Sequence, residues 1–149
     1  MLKCIILNVL TGAFVAGIDA GRMYNTWPLM NGQVVPDGLV KEDQPLWKNF
    51  FENVAMVQFN HRNMAYVTMS LSYYLLFRIL KAKIGGPFTV AGLLAVLMVN
   101  YQAFSGIITL LNLVPKEKAN MHQMTAMITL SSVMLMVYMA KVPLAAAVA

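Results

Sequence analysis

The sequence predicts an all-α fold, an integral membrane four-helix bundle with one long loop between helices 1 and 2. Of the 149 residues, 59% are hydrophobic and only 11% are charged, whereas about 25% of a soluble domain is charged. A chain of this length cannot bury so much apolar surface in a core of its own. A lipid bilayer removes that difficulty and is therefore the first predicted partner.

Four segments are apolar enough to cross the hydrocarbon layer, which requires about 20 residues of helix. We predict one four-span domain over residues 1–149, with spans at about 2–20, 54–80, 87–113 and 120–141. Gly85 and Gly86 interrupt the chain between the second and third spans. A charged turn at 114–118 separates the third span from the fourth.

The connection at 21–53 is the long loop of this prediction. It is rich in turn-forming residues and ends in 45–52, which is typical of a short helix at the membrane surface. Trp27 and Trp47 fit an aromatic belt at the level of the lipid headgroups. The loop could lie as a lid over one end of the bundle, and a plain surface connector is the alternative.

Charge and composition exclude several classes of function. The net charge of +5 is modest, and no basic run is interleaved with aromatic residues, so nucleic acid is not a predicted partner. Cys4 is the only cysteine, which excludes an internal disulfide and a CxxCH haem attachment. The sequence has no Ser-His-Asp set and no phosphate-binding glycine loop, so hydrolysis and phosphoryl transfer have no candidate residues.

The two histidines of the chain both fall within predicted spans, where ionisable side chains are costly and usually functional. His61 lies near the start of the second span and His122 near the start of the fourth. Even-numbered spans run in the same direction, so both rings are expected near the same membrane face. Two imidazoles facing each other across a helix bundle can ligate haem iron. His61 and His122 are therefore the candidate axial ligands of one haem.

Small residues continue the two histidine faces. They are Ala65, Thr68 and Ser72 after His61, and Ala126, Thr129 and Val133 after His122. Small residues leave room for a flat macrocycle, but they also allow close helix packing. On periodicity alone three interpretations remain open: haem ligation, hydrogen-bonded structural histidines, and another metal or a proton relay. Two histidines are too few for a closed zinc site, which has four protein ligands.

Two neighbours of His61 complete the predicted cofactor-binding set. Arg62 points about 100° away from His61 on a helix, toward the interface, where it could pair with a haem propionate or reach the lipid headgroups. Gln58, one turn before His61, could form a hydrogen bond near the ligand or face a neighbouring helix. Catalytic residues stay unassigned.

The third predicted span is polar for a membrane helix. Its polar and small residues are Asn100, Gln102, Ser105, Gly106 and Thr109. Hydrogen bonding between helices accounts for them, and support of an imidazole N–H is the alternative.

Five stretches of the chain resemble motifs of the haem A synthase family. They are Thr11–Gly21, Tyr24–Met30, Asn49–Asn53, Val57–Arg62 and Met121–Gln123. The likeness is to the form found in mitochondria and related proteobacteria, and it covers nearly the whole chain.

The resemblance implies an oxidoreductase of eight spans, built as two similar four-helix halves that each offer a histidine pair. Such an enzyme oxidises the C8 methyl of haem O to a formyl group. One half handles haem O, and the other holds a haem b that passes electrons. This chain is similar to the second, C-terminal half, so the resemblance implies haem b, with its iron, at His61 and His122. An unidentified electron donor is a further implied partner.

The chain departs from the family pattern in two respects. The first half is absent, so the missing N-terminal half or a second copy becomes an expected partner. The substrate half of the family carries a glutamate three residues before its histidine, where this chain has Gln58. The chain alone is therefore expected to be an incomplete enzyme, and a stand-alone b-type cytochrome is the alternative. The expected location is the mitochondrial inner membrane, with the bacterial plasma membrane as the alternative.

Overall fold

A computed structural model describes residues 1–83 and 85–141. Their regular structure is helical, which confirms the predicted all-α class. The helices are α1 (Leu2–Gly17), α2 (Leu46–Glu52), α3 (Val54–Ala82), α4 (Pro87–Leu111) and α5 (Lys116–Lys141), with a 3₁₀ turn at Ala20–Arg22. Residues 142–149 of the predicted domain lie outside the described residues.

Local signals set the helix ends. α1 ends at Gly17 rather than at about residue 20, because Asp19 adopts a left-handed backbone conformation (φ 53°). The side-chain oxygen of Asn53 accepts a hydrogen bond from the backbone N–H of Ala55 and caps the start of α3. α5 begins at Lys116 rather than at about residue 120, since an acidic residue in its first turn, Glu117, complements the helix dipole.

Among residues 1–83 and 85–141, two helices, α4 and α5, are long and apolar enough to cross a membrane by length and composition. α1 is apolar, but its 16 residues are fewer than the roughly 20 that a membrane span requires. α3 has 29 residues and is more polar, because its first half contains Gln58, His61 and Arg62. Large apolar side chains on the outer helix faces are exposed, among them Leu97 at 62% and Phe104 at 60%, as expected for helices that face lipid rather than water.

The helices pack in an order that separates the two histidines. α1 contacts α3 and α5, and α4 contacts the same two helices. α3 and α5 pack mainly against α1 and α4 rather than against each other. A core of small and branched side chains, including Ala95 and Val133, which are fully buried, fills one end of this arrangement. The histidine-bearing helices therefore lie across from each other.

Candidate haem site

The two histidines lie at nearly the same depth in their helices. His61 is the eighth residue of α3 and His122 is the seventh of α5, so each lies about 10 Å of helix rise from its helix start. α4 follows α3 and precedes α5 through short connections, so α3 and α5 run in the same direction. That the two imidazoles ligate iron stays a prediction.

The His61 ring lies against α1. Thr11 Oγ1 is 3.0 Å from its Nδ1 atom. A Cβ atom at Gly12 would lie 3.1 Å from its Cε1 atom, so the ring occupies space that any side chain at this position would need. No pattern in the sequence had indicated that Thr11 contacts this ring.

The His122 ring lies against α4. Ser105 Oγ is 2.8 Å from its Nδ1 atom, and a Cβ atom at Gly106 would lie 2.8 Å from its Cε1 atom. The Gln102 amide donates to the backbone carbonyl of His122 at 3.0 Å and accepts from Thr125 Oγ1 at 2.5 Å. Of the polar residues in the third predicted span, Gln102 and Ser105 contact the imidazole. Asn100 and Thr109 instead bond to Tyr73 and to the carbonyl of Lys118 on neighbouring helices, so both explanations offered for this span apply.

Gln58 and Arg62 connect α3 to the segment after α1. The Gln58 amide donates to the carbonyl of Tyr24 at 3.3 Å, and Arg62 donates to the carbonyls of Tyr24 and Thr26 at 2.7 and 3.0 Å. That Gln58 and Arg62 hold the segment after α1 was not predicted from the sequence. The expected contact of Arg62 with a haem propionate stays a prediction. Gln58 Oε1 and Arg62 Nε are buried and lack a hydrogen-bond partner within the described residues. Such atoms need a partner, so hydrogen-bonding capacity remains next to His61.

Asparagines hold the rest of the connection between α1 and α3. Asn25 donates to the carbonyls of Gly21 and Leu110, at 2.9 and 3.0 Å, and so links the connection to the end of α4. Asn49 and Asn53, which are 0% and 2% exposed, bond to the backbone carbonyls of residues 38, 39 and 41. The connection is therefore tied to the helix ends near the two histidines. All three asparagines lie in the quoted motifs, but nothing in the sequence indicated their contacts.

The donor set fits a haem better than a bare metal ion. In the described part of the chain, no three His, Cys, Asp or Glu side chains come together in a way that could hold a metal. Two imidazoles suffice for haem iron, because the porphyrin supplies the other four ligands. On the predicted faces Thr68, Ser72, Thr129 and Val133 are each at most 3% exposed, and Val133 belongs to the packed core. These small residues therefore pack against neighbouring helices, which was the alternative to lining a macrocycle.

The helices and the histidine pair define a class: an all-helical, membrane-type protein with two histidines at one depth on parallel helices. Residues 1–134 match the family described as Cytochrome oxidase assembly protein, COX15-CtaA. The chain is 41% identical over 136 residues to Heme A synthase of Azorhizobium caulinodans and 42% identical over 130 residues to that of Chelativorans sp.. It is 39% identical over 138 residues to Heme A synthase of Rhodopseudomonas palustris. The chain belongs to the haem A synthase family, as its motifs predicted.

These alignments cover 91%, 87% and 92% of this chain but only 38%, 36% and 38% of the three relatives. The chain therefore spans a little over a third of the length of the curated relatives that it matches. No solved structure matches it.

Proposed function

We propose that this chain forms the haem b-binding, C-terminal half of a haem A synthase, an oxidoreductase of haem A biosynthesis. The observation that carries the proposal is the placement of His61 and His122 at one depth on two parallel helices that α1 and α4 hold apart. Each ring also has a hydroxyl partner at Nδ1, which suits a histidine that binds metal through its other nitrogen.

In this proposal α1, α3, α4 and α5 form a four-helix bundle that spans the membrane, and the long connection between α1 and α3 covers the end near the histidines. The exposed apolar side chains on α4 and the length of α4 and α5 support a membrane location. The three relatives compared above are bacterial. They favour the bacterial plasma membrane over the mitochondrial inner membrane that the resemblance first suggested.

The residues assign distinct tasks around the cofactor. His61 and His122 would hold the iron, and the free Nε of Arg62 would face a propionate. A haem b in this position would supply a one-electron redox centre. An iron held by both histidines would have no open site for oxygen or for a substrate. Such a site suits electron transfer to the place where the C8 methyl of haem O is oxidised.

In this proposal the oxidation of the haem O methyl group takes place in a partner, either the N-terminal half or a second copy of the chain. Gln58 is an amide at the position where the family pattern of the substrate half has a carboxylate, so this site offers no acid or base next to its histidine. A complete enzyme would therefore need the N-terminal half, or a second copy of the chain, to bind haem O, together with an electron donor. The same amide favours the second candidate function, a b-type cytochrome that carries electrons without modifying haem.

Haem reconstitution tests the proposal directly. The full chain, purified in detergent and titrated with haem b, is expected to give a low-spin spectrum at one haem per chain. His61→Ala and His122→Ala should each abolish that spectrum, whereas Gln123→Ala, next to His122 on the exposed face of α5, should not. An unchanged spectrum in either histidine variant would refute the ligand assignment. Haem A formation from haem O by this chain alone would refute the division of tasks.

A further inference from the structure

Both imidazoles meet the same two-residue unit on a neighbouring helix. Thr11 and Gly12 of α1 contact His61, and Ser105 and Gly106 of α4 contact His122. We call each unit a hydroxyl–glycine pair. The hydroxyl residue lies six residues before the last residue of its helix in both cases, with α1 ending at 17 and α4 at 111. The two pairs are therefore equivalent in chemistry and in height.

A second contact of each hydroxyl favours one direction for its hydrogen bond to the imidazole. Thr11 Oγ1 donates to the carbonyl of Asn8 at 3.0 Å, and Ser105 Oγ donates to the carbonyl of Gln102 at 2.9 Å. A hydroxyl group has a single proton to donate. When that proton goes to the carbonyl, the oxygen accepts from the imidazole, and Nδ1 is then the ring nitrogen that carries the proton.

The Gln102 amide is compatible with this direction. Its Nε2 atom lies 3.2 Å from Nδ1 of His122 and 3.4 Å from Nε2 of the same ring. A donor aimed at the in-plane lone pair of Nδ1 would lie much farther from Nε2. The amide nitrogen therefore sits over the ring face, and it donates in addition to the His122 carbonyl at 3.0 Å.

We propose that Thr11 and Ser105 are positioning residues that hold both imidazoles as the Nδ1-protonated tautomer, each ring resting on the adjacent glycine, so that both Nε2 lone pairs are free to bind one metal. The partner of one ring nitrogen decides which nitrogen can bind a metal. The identity of that metal as haem iron rests on the proposed function, whereas the tautomer exists without any metal.

Nitrogen NMR of the haem-free chain tests the tautomer. With ¹⁵N-labelled histidine in detergent, at a pH where both rings are neutral, protonated and unprotonated ring nitrogens have well-separated shifts. Both rings are expected to carry the proton on Nδ1. Thr11→Val should give a tautomer mixture at His61 alone, and Ser105→Ala at His122 alone. Nε2 protonation of either ring in the unaltered chain would overturn the proposal.

Two further variants control for lost packing. Thr11→Ser keeps the hydroxyl and should keep the His61 tautomer. Ser132→Ala removes a hydroxyl that, in the part of the chain the structure describes, bonds only the carbonyl of Thr129 on its own helix, and both tautomers should remain. A tautomer mixture in Ser132→Ala equal to that in Ser105→Ala would contradict a specific role of the hydroxyl–glycine pair.

Haem titration of the same variants separates this inference from the proposed function. Thr11→Val and Ser105→Ala are each expected to weaken haem binding about tenfold and to change the low-spin spectrum, while Thr11→Ser and Ser132→Ala leave both unchanged. Unaltered affinity in both hydroxyl variants would reject the positioning role and leave the proposed function standing. A chain that binds no haem although both rings are Nδ1-protonated would reject the proposed function and leave the tautomer standing.

Discussion

The His61 side of the candidate site is attached to the connection between α1 and α3, whereas the His122 side is enclosed by α4 and α5. Gln58 and Arg62, on the same helix as His61, bond to backbone carbonyls in that connection. The partners of His122 are Gln102, Ser105 and Thr125, all within the helix pair. A cofactor bound between the rings would therefore have two unequal ligands. The position of His61 depends on the connection between α1 and α3, whereas the position of His122 depends on α4 and α5 alone.

The two rings also differ in how closely they are confined. A Cβ atom added at Gly106 would lie 2.8 Å from the His122 ring, whereas a Cβ atom added at Gly12 would lie 3.1 Å from the His61 ring. The His122 ring has in addition the Gln102 amide over one face. Closer confinement leaves less room for adjustment, so the His122 side should tolerate change less well.

The largest effect on haem binding is expected when a methyl group is added next to the His122 ring, which is the more closely confined of the two. Gly106→Ala should displace the His122 imidazole and weaken haem binding by about 10- to 100-fold, as measured by haem titration. Gly12→Ala should cause a smaller loss. Gly17→Ala is the matched control, because within the described residues its added Cβ would meet no other helix or side chain within 4 Å. A loss in Gly12→Ala that exceeds the loss in Gly106→Ala would reverse the order of confinement.

The next largest effect is expected on the His61 side, where Arg62 holds the connection between α1 and α3. Arg62→Ala removes hydrogen bonds from a charged donor to the carbonyls of Tyr24, Thr26 and Leu29. It should therefore lower the free energy of unfolding by about 2 kcal/mol. Limited proteolysis should then cut within 23–45 faster than in the unaltered chain. Arg78→Ala, whose guanidinium bonds the Tyr74 hydroxyl one turn earlier on the same helix, should leave the cleavage rate unchanged. Equal rates for both variants would show that Arg62 does not hold the connection.

A smaller effect, confined to the His122 side, is expected from Gln102→Ala. The amide donates to the His122 carbonyl and accepts from Thr125, so its loss should lower the free energy of unfolding in mixed micelles by about 1 kcal/mol. Cleavage within 23–45 should not change, in contrast to Arg62→Ala. Faster cleavage here would mean that the two sides are coupled through the helices.

The sequence predicted the helices and the two histidines because both leave one-dimensional signals. Apolar runs of the right length indicate spans, and an ionisable residue inside such a run is conspicuous. The contacts of Thr11, Asn25 and Arg62 left no such signal, because each joins segments that are distant in the sequence. The start of α5 at Lys116 was missed because charged residues were assigned to the turn, although a helix tolerates them in its first turn.

The smallest effect is expected where the connection begins. Asp19 and Arg22 form an ion pair of 3.6 Å, with side chains that are 78% and 58% exposed, and exposed pairs contribute about 0–1 kcal/mol. Asp19→Asn, which suits the left-handed backbone there, should leave stability and cleavage within 23–45 nearly unchanged. Asn25→Ala removes the bonds to Gly21 and Leu110 and should speed cleavage clearly. Faster cleavage in Asp19→Asn than in Asn25→Ala would contradict this expectation. It would mean that the surface ion pair, rather than hydrogen bonds to backbone carbonyls, holds the connection next to His61.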